Sequence, residues 1–299
     1  MALRSWLSGR RRLDFLIVGA EKAGTTALFS YLRRQPDVYI PFNKELNFFD
    51  RDHRYRDGTD FSALHRWFLP APKSCLLGEA TPTYLMNPRC FERIRAYNPA
   101  IKIVALLRCP VRRAYSAWNY RRARLRDSRD FMTAVRVEIE SGGDLSVARE
   151  NKYRYVTAGL YASQIRQAQQ IFEPGNLLLI KYEDFTRDQE TWVARAAAFI
   201  GSSAPVRIPR IRRSNVWGYQ APLQKDQFDT LFPYYEADIA EVESLTGWNC
   251  DDWRTFERRT PKAPQIPGYN LKDLKAPTRE LVLSGSGNSP ENLLHPSGA

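Results

Sequence analysis

The sequence is short of the residues that hold metals and build disulfide frameworks. Its 299 residues include four cysteines, Cys75, Cys90, Cys109 and Cys250, and three scattered histidines, His53, His65 and His295. No zinc-ligand spacing occurs among them, so no metal is expected. The cysteines also show no close pairing, which suits reduced thiols in a cytoplasmic protein. No apolar run approaches the ~20 residues of a membrane-spanning helix. The opening stretch MALRSWLSGRRRLDF is basic but lacks the apolar core of a secretory signal. Its GRRR run reads as a solvated arm, with membrane contact as the other use. With a first strand expected near Asp14, little room remains for a targeting peptide. There is no internal repeat.

What the chain has in excess is positive charge, a formal +12. That points to an anionic ligand: nucleic acid, an acidic membrane or a phosphorylated small molecule. Hydrophobic residues make up 43%, enough for a globular chain with a sizeable core.

Short apolar runs alternate with helical periodicity. DFLIV (14–18), DVYI (37–40), SCLLGE (74–79), IKIVALL (101–107) and NLLLIKYEDF (176–185) suit buried strands. Helices are expected over 24–34, 61–69, 91–97, the basic run VRRAYSAWNYRRARL, 131–139, AGLYASQIRQAQQIF and QETWVARAAAFI. Phe228, Leu231, Phe232, Tyr235, Ile239, Val242 and Leu245 read as the core stripe of one further helix packed on the sheet. The alternation predicts an α/β fold: a P-loop-like, three-layer α/β/α arrangement around a central parallel sheet. From about Thr260, proline, glycine and serine become frequent and periodicity ends. We therefore expect one domain over 1–259 and a loosely packed tail over 260–299.

The first strand runs into GAEKAGTT, residues 19–26. Gly19 and Gly24 have the separation of a nucleoside triphosphatase loop, but Thr25 stands where its lysine belongs, and Lys22 comes early. The amides of Ala23, Gly24, Thr25 and Thr26 at a helix N-terminus can still cradle oxyanions, with Lys22 as a point charge beside them. A plain strand–turn–helix with an exposed lysine is the bland alternative.

Gly-x-x-Lys-x-Gly-Thr-Thr after the first strand resembles the 5′-phosphosulfate loop of sulfotransferases that use 3′-phosphoadenosine 5′-phosphosulfate (PAPS). The same family carries Arg-x-Pro after a strand, with a serine eight residues past the arginine; here these are Arg108, Pro110 and Ser116. NKELNFFD resembles the Lys-Glu-x-x-Phe-Phe segment of the heparan sulfate N- and 3-O-sulfotransferase branch, and AGLYASQI with NLLLIKYEDF resembles its Gly-x-Tyr helix and following strand. The matches keep family order across roughly residues 15–188. Cys109 stands where the family often has asparagine, and Ala80 where the Golgi branch often has lysine. The Golgi membrane anchor and paired-cysteine region have no counterpart. The likeness is therefore to soluble, bacterial-type members, and a polysaccharide acceptor is not implied.

The resemblance implies sulfonate transfer from PAPS, with 3′-phosphoadenosine 5′-phosphate (PAP) as product. Lys22 would meet the 5′-phosphate and bridging oxygen. Arg108 and Ser116 would bind the 3′-phosphate, and Arg212 and Arg213 would belong to a late loop over the nucleotide. Glu45 is the candidate general base; a surface pair with Lys44 is its rival reading. Lys44 is a candidate for positioning the sulfonate. Glu79 either orients Lys22 or the acceptor, or caps a turn. Tyr161 either approaches the nucleotide or packs. Arg112, Arg113, Arg121 and Arg122 either line an anionic entrance or form a solvated face. The acceptor is expected to be a hydroxyl of a glycan, lipid or secondary metabolite, without nucleic acid as a partner. The competing readings are a P-loop kinase or nucleotidase, with Glu183 or Asp184 on a metal, and a basic nucleic-acid-binding protein.

Overall fold

The computed structural model describes residues 11–55, 59–141, 154–205 and 221–256. The expected tail and the arginines Arg212 and Arg213 lie outside the described residues.

Five apolar runs become strands: β1 (Phe15–Gly19), β2 (Val38–Tyr39), β3 (Leu76–Ala80), β4 (Lys102–Leu107) and β5 (Leu177–Lys181). They form one parallel sheet in the order β2-β3-β1-β4-β5. Every residue of β1 is buried, as a central strand covered on both faces requires. Register aligns Ile17 with Ala80 on one side and with Val104 on the other. All C-terminal strand ends therefore emerge on one edge. The chain goes from β1 out to β2 and back to β3, then crosses to β4 and β5. That reversal around β1 is where open α/β sheets bind ligands.

The helices are α1 (Thr25–Leu32), α2 (Ser62–His65), α3 (Pro88–Tyr97), α4 (Pro110–Ala123), α5 (Phe131–Glu140), α6 (Ala162–Ile171), α7 (Tyr182–Arg187), α8 (Gln189–Phe199), α9 (Lys225–Leu231), α10 (Glu236–Thr246) and α11 (Asp251–Arg254). Their starts are marked locally. Asn87, Asp130 and Asp188 cap α3, α5 and α8 with their side chains. Pro110 occupies the first turn of α4, where a missing N–H costs nothing.

Three expectations change. YEDF does not extend β5 but opens α7. The apolar stripe from Phe228 to Leu245 is divided between α9 and α10, with Pro233 in a tight turn between them, and α10 packs on α6. Arg112 and Arg113 do not line an entrance. They are buried, with Arg112 donating to the Asp252 and Thr255 carbonyls and Arg113 to the Tyr155 carbonyl, because the chain folds back over α4. The four cysteines are free and buried. Among the described residues, no helix is long and apolar enough to cross a membrane.

Candidate functional site

The loop between β1 and α1 sits at the reversal point. Gly24 has φ 89°, and a Cβ there would lie 2.9 Å from the Tyr182 ring, so only glycine fits. No side chain caps α1, which suits an N-terminus that receives an anion. The Ala23 amide already donates to the Ala20 carbonyl at 3.1 Å and closes the turn, so the expected cradle narrows to residues 24–26.

Lys22 has φ 70°, and its ammonium lies 4.2 Å from the centre of the Tyr120 ring. Burial lowers its pKa to about 8; Glu21 opposes the shift, and Arg108, Arg121 and Lys44 reinforce it. A lysine in so positive a surround gains from an arriving polyanion.

Arg108 follows β4 and donates from Nη1 to the Lys22 carbonyl at 3.0 Å, tying the β4 end to the β1 loop. Its guanidinium lies 4.9 Å from the Tyr182 ring centre. The buried Tyr161 donates to the Arg108 carbonyl at 3.0 Å and packs there, the second of its two expected readings. Ser116 is buried two turns into α4. Arg121 pairs with Glu21 at 2.9 Å and Arg122 donates to the Ser128 carbonyl, so both are engaged locally.

Glu45 and Asn47 adopt φ 68° and 50°, in the left-handed region that disfavours side chains. The loop is held there by backbone bonds to the end of β3 and beyond. The Glu45 amide donates to the Ala80 carbonyl at 3.0 Å, Leu46 to Glu79 Oε1 at 3.1 Å and Asn47 to Thr81 Oγ1 at 3.3 Å. The Tyr84 hydroxyl accepts from the amides of Phe48 and Phe49, whose rings are buried. The Glu45 side chain is half exposed and pairs with Lys44 at 3.1 Å. Lys44 Nζ also reaches Thr25 Oγ1 at 3.5 Å. The surface-pair reading of Glu45 thus holds in this state, and that pair is set against the phosphate loop.

Glu79 is buried; its Oε1 also accepts from the Thr81 hydroxyl, and Oε2 has no hydrogen-bond partner. Burial raises its pKa to about 7. It holds the Glu45 loop through the Leu46 amide, a role that neither expectation named. Sequence reading missed Thr81, Tyr84, Tyr120 and Tyr182; all four work by touching a neighbour in space and carry no spacing signal.

His53 is exposed, while His65 is buried against Phe61 with Nε2 3.0 Å from the Tyr97 hydroxyl. Glu183 accepts from the Cys109 amide at 3.3 Å and from Trp253 Nε1 at 2.9 Å, and Asp184 pairs with Arg187 at 2.8 Å. Neither stands as the spare metal-binding carboxylate that a kinase reading needs.

Residues 12–213 match the sulfotransferase domain family. The chain is 31% identical over 196 residues to human heparan sulfate glucosamine 3-O-sulfotransferase 6, covering 64% of this chain and 54% of that protein. A sulfotransferase structure from Alicyclobacillus acidocaldarius superposes with a TM-score of 0.68 at 29% identity, covering 82% of this chain and all of that one. Mouse sulfotransferase SULT7A1 complexed with PAP shares the fold, with a TM-score of 0.50 at 17% identity over 80% of this chain and 90% of that one. The chain spans between about a fifth and about a half of the curated relatives it matches.

Proposed function

Because the chain belongs to the sulfotransferase family, we propose that it moves a sulfonate group from PAPS to a hydroxyl acceptor. The observation that carries the reading is the Lys44 ammonium, which touches both the Thr25 hydroxyl of the phosphate loop and the Glu45 carboxylate. That contact supports Glu45 as the base beside the loop proposed to hold the 5′-phosphosulfate.

The chemistry needs in-line geometry and stabilisation of charge on the departing phosphate. The acceptor oxygen forms a bond to sulfur as the bond from sulfur to the 5′-phosphate oxygen breaks. Glu45 takes the acceptor proton, leaving its pair with Lys44, which turns to the sulfonate. Lys22 leaves the Tyr120 ring for the bridging oxygen, and PAP departs. The amides of 24–26 hold the 5′-phosphate. Arg108, fixed by the Lys22 carbonyl and the Tyr182 ring, binds the 3′-phosphate with Ser116. We place the acceptor among glycans, lipids and secondary metabolites.

The test is an acceptor screen with PAPS carrying a radiolabelled sulfonate, beside binding of PAP and of magnesium-ATP. The reading expects label on a hydroxylated acceptor and tighter PAP binding. Preference for magnesium-ATP with no transfer to any acceptor would sink it.

A further inference from the structure

The β2 edge of the sheet presents a surface that the proposed reaction does not use. Among the described residues five large apolar side chains are exposed, and three lie here: Phe42 at 80%, Leu69 at 81% and Trp67 at 39%. Two contacts join them across β2. The Arg33 guanidinium sits 5.1 Å from the Phe42 ring centre, with its Nε donating to the Ile40 carbonyl at 3.1 Å. The Tyr39 hydroxyl donates to the Trp67 carbonyl at 3.4 Å. Residues 39 and 42 are at most about 11 Å apart along the chain, so Phe42 and the Trp67 segment flank the same end of the edge strand. Arg66 and Leu69 are three residues apart at a turn of 3₁₀ helix, where such side chains eclipse. Arg33 and Arg34 also rim a groove of about 400 Å³ floored by Phe29, Val38 and Ile40.

Among the described residues, Arg33, Arg34 and Arg66 take part in none of the ion pairs. Two acids close to them in sequence are engaged locally: Asp37 accepts from Ser202, Ser203 and Ala204, and Asp60 from Ser62. Neither pairs with Arg33, Arg34 or Arg66.

We propose that this edge docks the protein on an anionic lipid bilayer. Exposed aromatic and leucine side chains enter the headgroup boundary, and arginines beside them meet acidic headgroups. A flexible polyanion such as a sulfated glycan would match the arginines but give Phe42, Trp67 and Leu69 nothing to bury against. Phe42 comes just before Asn43–Glu45, so docking sets the acceptor loop at the headgroup level. On the sulfotransferase reading, this favours an acceptor hydroxyl carried by a lipid.

The experiment is co-sedimentation of the full chain with vesicles of phosphatidylcholine alone and of a phosphatidylcholine–phosphatidylserine mixture. Folding is checked by circular dichroism melting, which does not depend on the sulfotransferase reading. Wild type should bind the mixed vesicles at physiological salt and ignore the neutral ones. Arg33→Glu with Arg34→Glu should weaken binding more than tenfold, at about fivefold for each arginine's charge. Phe42→Ser, Trp67→Ser and Leu69→Ser together should weaken it at least tenfold, and Phe42→Leu should keep most of it. The proposal falls if wild type ignores mixed vesicles, or if binding is lost only when Arg11 and Arg12 are replaced. Retention on heparin without vesicle binding would reassign the patch to a polyanion. A dimer that the same serine substitutions dissolve, again without vesicle binding, would assign it to a second copy. Failure of PAP binding alongside intact vesicle binding would remove the sulfotransferase reading and leave this one standing.

Discussion

The two halves of the site are built in opposite ways. The proposed nucleotide half, at the ends of β1 and β4, is made of groups packed against or tied to their neighbours: Gly24 under the Tyr182 ring, Arg108 held through the Lys22 and Tyr161 contacts, and a buried Ser116. The proposed acceptor half, residues 44–49, has its candidate base Glu45 half exposed and Glu45 and Asn47 in unfavourable left-handed geometry. It stays in place because Glu79, Ala80, Thr81 and Tyr84 grip its amides. One half is preorganised by packing and by the bonds through Arg108, the other by hydrogen bonds to its own backbone amides. Invariant chemistry, the holding of phosphates, can be packed in permanently. An acceptor of varied shape is better met by a loop whose frame is fixed and whose side chains stay free.

The sharpest way to break this comparison is to remove one chemical group from each half. Glu45→Gln keeps size and loses the base. Turnover should fall by roughly 10²–10⁴-fold, while PAP affinity measured by calorimetry changes little. Affinity that collapses with turnover intact at saturation would make Glu45 a binding residue. Lys22→Ala should cost roughly 10²–10³-fold in turnover, by loss of charge opposite the leaving phosphate. It should also weaken PAP binding, because this residue belongs to the nucleotide half. Thermal melting should be near normal in both variants.

A smaller effect is expected from the grip on the loop. Tyr84→Phe leaves the buried Phe48 and Phe49 amides without their shared acceptor. Stability should drop by about 1–3 kcal/mol, with turnover reduced and PAP affinity kept. Equal losses in affinity and turnover would mean that the two halves are not built separately.

The smallest effect is a pH dependence of the nucleotide half. Lys22 titrates near 8 in the free protein, below its unfolded value of 10.5. Between these pH values the unfolded chain holds the extra proton, so this group makes stability rise with pH across that window. Binding runs the other way. PAP affinity should decline as pH passes 8, with proton uptake on binding visible as a dependence of the enthalpy on the buffer. Lys22→Arg should flatten the decline.

The same contrast governs what could be read in the sequence. The placement of the proposed nucleotide half follows from the apolar runs that end at Gly19, before the loop to Gly24, and at Leu107, before Arg108, and those runs mark strands because both faces of a parallel sheet are buried. The acceptor half was legible only as the segment NKELNFFD. The role of Tyr84 depends on a chain reversal 35 residues away, and that of Glu79 on which loop folds onto β3. Arg112 and Arg113 misled for a related reason. Arginines on a helix look solvated until another segment, here α11 and the chain near Tyr155, covers them. Pro233 was visible, yet the stripe of apolar residues on either side suggested one helix.

The central claim is that the β4 end reads a 3′-phosphate, the group that separates PAPS from adenosine 5′-phosphosulfate. Calorimetric titration of PAP and of adenosine 5′-phosphate into wild type and Arg108→Ala tests it directly. A charge-assisted bond is worth about 1.5–3 kcal/mol, so the substitution should weaken PAP roughly ten- to over a hundredfold. Adenosine 5′-phosphate has no group there to lose, and its affinity should barely change. Equal losses for the two nucleotides would contradict the account.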